Sequence, residues 1–202
     1  MCLESKILTK TLAMFRSLYK FRWIRNLFVK LLPFISFGSE TVFNSAATTG
    51  VSVAALTDSK FVVAYRDAGN SGYGTARVGQ VSGGTTISYG SSEYVFNPAA
   101  TLLLHSDGVA RLSDTTFVVG YKNDSDSDGR VMVVTVSGNT IFFGHQVSFN
   151  AGSDSAYITV AGLSPTKYVV AWCDQSNSDY GTAKGGTVPS VGSAAVFNPA
   201  AT

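Results

Sequence analysis

The sequence predicts an all-β chain of tandem four-stranded antiparallel units, preceded by a basic amphipathic helical segment. Three observations lead there. A short cassette, Val42-Phe43-Asn44-Ser45-Ala46-Ala47-Thr48, returns as Val95-Phe96-Asn97-Pro98-Ala99-Ala100-Thr101 and weakens to Val147-Ser148-Phe149-Asn150-Ala151-Gly152. It then reappears as Val196-Phe197-Asn198-Pro199-Ala200-Ala201-Thr202. Between cassettes a second element recurs: Phe61-Val62-Val63-Ala64-Tyr65, Phe117-Val118-Val119-Gly120-Tyr121 and Tyr168-Val169-Val170-Ala171-Trp172. The cassette phenylalanines Phe43, Phe96, Phe149 and Phe197 lie 53, 53 and 48 residues apart, and such a period means one supersecondary unit copied in tandem. Twenty glycines and abundant Ser, Thr, Asn and Val suit short strands joined by tight turns.

Residues 1–35 differ in kind from the rest. Ile7, Leu8, Leu12, Phe15, Leu18 and Tyr19 fall on one face of a helix, with Lys6, Lys10, Arg16 and Lys20 on the other. A basic and aromatic stretch, residues 21–32, runs from there to Pro33. Seven Lys/Arg against Glu4 leave this segment at +6, whereas the remainder carries eight basic and twelve acidic residues, −4. Charges every few residues deny it the uninterrupted apolar run of a secretory signal or a membrane span. A basic amphipathic helix of this kind suits peripheral contact with an anionic membrane surface. Localisation stays unknown, between the membrane and the cell surface.

Residues 36–202 form the repeat region, in units of approximately 43–95, 96–148 and 149–196. In the first unit, strands are expected at 51–56 and 60–66 around a Thr57-Asp58-Ser59 turn, then at 74–81 and 85–89 around Ser82-Gly83-Gly84. A further strand, 93–96, leads into the next cassette. The second unit repeats the order at 109–112, 116–121, 130–136 and 140–143. The third keeps 158–163, 167–172 and 181–188, while its fourth strand is degraded to Pro189-Ser190-Val191-Gly192. The second strand of each unit is a continuous apolar run and should be buried on both faces. The first and third alternate and should be half buried. Phe61, Phe117 and Tyr168 should occupy equivalent buried positions in three separate sheets standing side by side.

Four antiparallel strands in about fifty residues match the blade of a β-propeller. On its Phe-Val-Val-Ala-Tyr and Val-Phe-Asn-Pro-Ala-Ala-Thr elements, the region from Phe37 to Thr202 resembles bacterial β-propeller-type tandem repeat proteins. The Trp-Asp dipeptide of one large propeller class is only approximated by Trp172-Cys173-Asp174, and kelch-like paired glycines occur irregularly, as Gly83-Gly84 and Gly185-Gly186. A closed propeller needs about four to eight blades. Three units plus the start of a fourth therefore imply a partial propeller: a fragment of a longer array, a chain that self-associates through open blade edges, or three blades standing as an open, marginal stack. A twisted open β-array or a sandwich is the structural alternative.

The motif richest in chemistry is Asp124-Ser125-Asp126-Ser127-Asp128-Gly129. Aspartates at alternate positions before a glycine wrap hard oxygen ligands around Ca²⁺, and the stretch resembles the first half of an EF-hand loop and the Asp-rich loops of integrin-type propellers. It departs from the EF-hand at the twelfth position, Thr135, which supplies no bidentate carboxylate. The competing reading is a solvated Asx-rich turn. Calcium is thus the one cofactor the sequence suggests, at Asp124, Asp126 and Asp128.

Tyr73 and Tyr180, in the Asn-Ser-Gly-Tyr-Gly and Asn-Ser-Asp-Tyr-Gly loops, are the ligand-binding candidates, because loops on a rigid scaffold commonly carry recognition. Tyr65, Tyr121 and Trp172 could in principle stack on sugar rings, yet an aromatic closing a buried strand at one repeat position reads as core. Catalysis has little footing: His105 and His145 stand in unlike contexts, no Gly-x-Ser-x-Gly elbow exists, and Cys173 reads as a buried, inert thiol. The mildly acidic repeats argue against a nucleic-acid partner. The reading is a non-catalytic scaffold that binds a protein or glycan. Its alternatives are a calcium-dependent carbohydrate-binding or adhesion module and a fragment of a propeller-fold hydrolase.

Overall fold

The computed structural model describes residues 35–102 and 108–189. The helical segment predicted at the N-terminus (residues 1–34 of it), His105 and the last cassette, 196–202, lie outside the described residues. The chain divides into two compact units, Met1–Phe37 and Gly38–Thr202, and all described strands belong to the second. Among the described residues no helix is long and apolar enough to cross a membrane.

The described chain is all-β and every strand pairing is antiparallel. The first repeat comprises β1 (Thr48–Ala55), β2 (Lys60–Asp67), β3 (Tyr73–Ser82) and β4 (Thr86–Tyr89), followed by β5 (Tyr94–Leu102). The second comprises β6 (Val109–Arg111), β7 (Thr116–Asn123), β8 (Gly129–Ser137) and β9 (Thr140–Asn150). The third supplies β10 (Ser155–Ser164), β11 (Lys167–Asp174) and β12 (Tyr180–Thr187). The registers repeat as the sequence does: Val53 lies opposite Val63, Val109 opposite Val119, and Val160 opposite Val170.

The expectation of three separate sheets is corrected by β5. Its first half pairs with β3 (Gly74 with Asn97, Ala76 with Tyr94), while Thr101 and Leu102 pair with Asn123 and Lys122 of β7. The first two repeats therefore share one nine-stranded sheet, and β10–β11–β12 form another. The cause lies in the cassette. Asn97-Pro98-Ala99-Ala100-Thr101 stays extended, whereas the weakened copy turns at Ala151-Gly152, with Gly152 at φ 72°, and ends the strand.

The cassette owes its recurrence to what it holds together. Asn44 Nδ2 donates to Thr48 Oγ1 at 3.0 Å, Asn97 Nδ2 to Thr101 Oγ1 at 2.7 Å, and Asn150 Nδ2 to Ser155 Oγ at 3.0 Å. The hydroxyl residue then opens or continues the strand that pairs with the end of the next Phe-Val-Val strand: Thr48 with Asp67, Thr101 with Asn123, Ser155 with Asp174. Each of the three described cassette phenylalanines meets the aromatic that closes that strand, with ring centroids 5.1 Å apart for Phe43–Tyr65, 5.2 Å for Phe96–Tyr121 and 4.7 Å for Phe149–Trp172. Phe96 and Phe149 also lie across the preceding repeat. A Cβ at Gly74 or Gly129 would come within 2.4 Å of the respective ring, so only glycine leaves room for it. These rings are wedges between consecutive repeats.

Among the described residues the core is two apolar clusters. One joins the first and second repeats through residues such as Leu56, Val78, Val119 and Val134; the other joins the second and third through Leu112, Val118, Ile158 and Val170. β2 and β7 are buried on both faces, as their apolar runs demand. In β11 the same run is only half buried. Phe61, Phe117 and Tyr168 do share one register position, opposite Ala55, Arg111 and Gly162, but only Phe117 is fully buried. Tyr65, Tyr121 and Trp172 are core residues.

Candidate functional site

In each repeat the loop between the second and third strands leaves the same end of the sheet. In the first, Asp67 Oδ1 accepts from Gly69 N at 3.0 Å and caps a single 3-10 turn, Ala68–Asn70; the chain then passes through Ser71 and Gly72, both at positive φ, into Tyr73. In the second, Ser127 takes the positive φ, and Asn123 N bonds Asp128 O at 3.0 Å. In the third, Ser178 and Asp179 are at positive φ before Tyr180, and Asn177 N bonds Asp174 O at 3.0 Å. Ser and Asp tolerate the left-handed region only modestly, so these turns are held by the ladders on either side.

The register places Tyr73 opposite Asp67, Tyr180 opposite Asp174, and Asp128 in the corresponding place opposite Asn123. Tyr73, Asp128 and Tyr180 are therefore repeat-mates, each followed by a glycine (Gly74, Gly129, Gly181). That pattern is legible in the sequence. The two tyrosines are not alike in setting. Tyr180 is 61% exposed, at the start of a strand paired on one side only. Tyr73 is half-buried, because β5 covers it through the pairing with Ala100. One repeat stands between them.

The aspartates of the middle loop are engaged within the loop and its neighbours. Asp128 accepts from Gly152 N at Oδ1 (2.8 Å) and from Ser148 Oγ at Oδ2 (3.2 Å). Asp126 accepts from Asp128 N at Oδ1 (3.1 Å), and its Oδ2 pairs with the Arg130 guanidinium. Asp124 is exposed, and its backbone N donates to Ala100 O at 2.9 Å. Among the described residues no group of three or more His, Cys, Asp or Glu side chains is gathered as a metal would require. The bond from Asp128 N to Asp126 Oδ1 is that of an Asx turn.

Other titratable groups serve the scaffold. Arg77 donates to Phe43 O (2.5 Å) and Gly90 O (3.0 Å) and lies over the Tyr89 ring. Its repeat-mate Lys184 donates to Phe149 O (2.6 Å) and lies over Trp172. Both thus fix the carbonyl of a cassette phenylalanine, a role that sequence reading missed; a basic residue recurring opposite Val63 and Val170 was the signal. Cys173 is half-buried rather than buried. Desolvation, and then the Asp179 carboxylate, push its thiol above the ordinary range and so favour the protonated form. His145 is exposed on β9.

No protein-family model matches the chain, and no curated protein does. Among solved structures it is similar to a mutant of NanB sialidase from Streptococcus pneumoniae, with a TM-score of 0.47 and 13% identity over 68% of this chain. The chain spans 21% of that protein's length.

Proposed function

We propose that the chain is a partial β-propeller, a non-catalytic scaffold that binds a glycan or protein ligand through the loop end bearing Tyr73 and Tyr180. The observation that carries this is the recurrence of one loop frame in three repeats, with an aromatic at the same register position in two of them. Beneath each loop an aromatic pair and the cassette Asn–hydroxyl bond hold the frame rigid, and loops on such frames are where recognition residues are commonly found. The exposed ring of Tyr180 offers a flat apolar face with a polar tip, which suits stacking on a sugar or a peptide side chain.

A glycan array read with the wild-type chain, Tyr180→Ala and Tyr73→Ala tests the proposal. Binding should fall at least tenfold in Tyr180→Ala and less in half-buried Tyr73→Ala. It should persist in chelator, since Asp126 and Asp128 are occupied by protein donors. Hits that ignore both substitutions would remove the loops from the reading. Turnover of a bound glycan, abolished by one carboxylate substitution, would replace the scaffold with an enzyme.

A further inference from the structure

Among the described residues the repeats bury the same positions against their neighbours, except at the outer faces of the first and third. Leu56, Leu112 and Leu163 are repeat-mates, each following the strand position opposite Phe61, Phe117 or Tyr168. The first two are 0% and 6% exposed, while Leu163 is 67% exposed. A Cβ at Gly162 of the third repeat would stand 3.2 Å from Leu112 Cδ2, so Leu112 is covered by the repeat that follows it. Around Leu163, Val169 and Ala171 are only half-buried, although their mates Val62, Val118 and Ala64 have no exposure at all.

The opposite face shows the complementary defect. Val53, Val109 and Val160 are repeat-mates, opposite Val63, Val119 and Val170. Val109 and Val160 are 6% and 7% exposed, whereas Val53 is 61% exposed. Val160 packs onto the preceding repeat, where a Cβ at Gly120 would lie 2.7 Å from Val160 Cγ1. Val51, exposed beside Val53, belongs to the same bare face.

We propose that two copies of this chain associate head to tail, the Val51/Val53 face of each seating on the Leu163/Val169/Ala171 face of the other. The occupant is a second copy because the chain already builds this contact twice: each face, bare among the described residues, is the same surface that in a neighbouring repeat is closed by the adjoining unit. Valine at the head and leucine at the tail are already matched in shape by the internal contacts. A head-to-tail contact is heterologous and is completed only if the rotation closes. Two copies bring six repeats, within the roughly four to eight blades that close a propeller. Closure at two copies rests on the propeller reading; the contact itself rests on burial alone.

Sedimentation velocity and light scattering of the full chain over a concentration series test this. The wild type should reach twice the 21.3 kDa chain mass. Val53→Asp and Leu163→Asp change exposed positions, so each should keep its β-sheet circular dichroism yet remain monomeric. Mixed together, the two variants should regain a dimer, because one pairs an intact tail with an intact head. A wild type that stays monomeric overturns the proposal. So does a dimer indifferent to both substitutions, which would place the contact elsewhere, and so does a mixture that fails to complement. A polydisperse series beyond two copies, abolished by either substitution, keeps the contact but refutes closure and with it the propeller reading.

Discussion

Replacing Phe96 with alanine removes the wedge between the first two repeats. The ring is almost fully buried, lies over Gly74 on one side and meets Tyr121 at 5.2 Å on the other. Phe-to-Ala truncations of buried rings cost about 3–5 kcal/mol, because the transfer free energy is lost and the cavity collapses only in part. Here collapse is hindered, since β3 and β7 are held apart by the ladders of β5. For a domain of this size each kcal/mol shifts Tm by roughly 2–4 °C, so a fall of about 6–20 °C is expected. Phe43 makes the same contact with Tyr65 but is half-buried, with no repeat before it among the described residues. Phe43→Ala should therefore cost about half as much. Urea unfolding followed by circular dichroism and tryptophan fluorescence measures both. Equal losses in the two variants, or less than about 1 kcal/mol for Phe96→Ala, would refute the wedge.

Two further outcomes follow from the buried tyrosines and the Asp-rich loop. Burial raises the Tyr65 and Tyr121 hydroxyls above the ordinary 10.0, so the folded state holds these protons more tightly than the unfolded chain. Their contribution to stability is complete below about pH 10 and is lost as pH rises toward the folded-state values. The urea midpoint should fall above about pH 10, and the double variant Tyr65→Phe/Tyr121→Phe should flatten that fall. At neutral pH the two positions should separate: the Tyr65 hydroxyl has only a poorly formed hydrogen bond to Glu93, short of normal geometry, whereas Tyr121 donates to Gln146. Tyr65→Phe should thus be neutral or stabilising and Tyr121→Phe destabilising by about 1 kcal/mol, and identical effects would contradict the assignment. Asp128→Ala should cost about 1 kcal/mol by removing the acceptor of Gly152 N and leaving Ser148 only Gly129 O, equally with or without Ca²⁺ in thermal melts. A loss of stability seen only with Ca²⁺ present would favour the metal loop.

The repeat period, the all-β class and the position of nearly every strand were legible in the residues themselves. Strand formation here depends on local apolar runs, and turns such as Ser82-Gly83-Gly84 punctuate them through local backbone preferences. The core role of Tyr65, Tyr121 and Trp172 was legible for the same reason, since a position repeated in register must recur in environment. Tertiary structure alone decided the rest. It showed that β5 serves two repeats, because strand pairing depends on which partner lies alongside and not on local pattern. It assigned the oxygens of Asp126 and Asp128 to Arg130, Gly152 and Ser148, since an acidic loop has one sequence whether it faces water, a cation or its own backbone. It also parted Leu163 from Leu56 and Val53 from Val109. These residues are equivalent in sequence, and they differ only in whether another repeat lies against them, a non-local fact that no local pattern encodes.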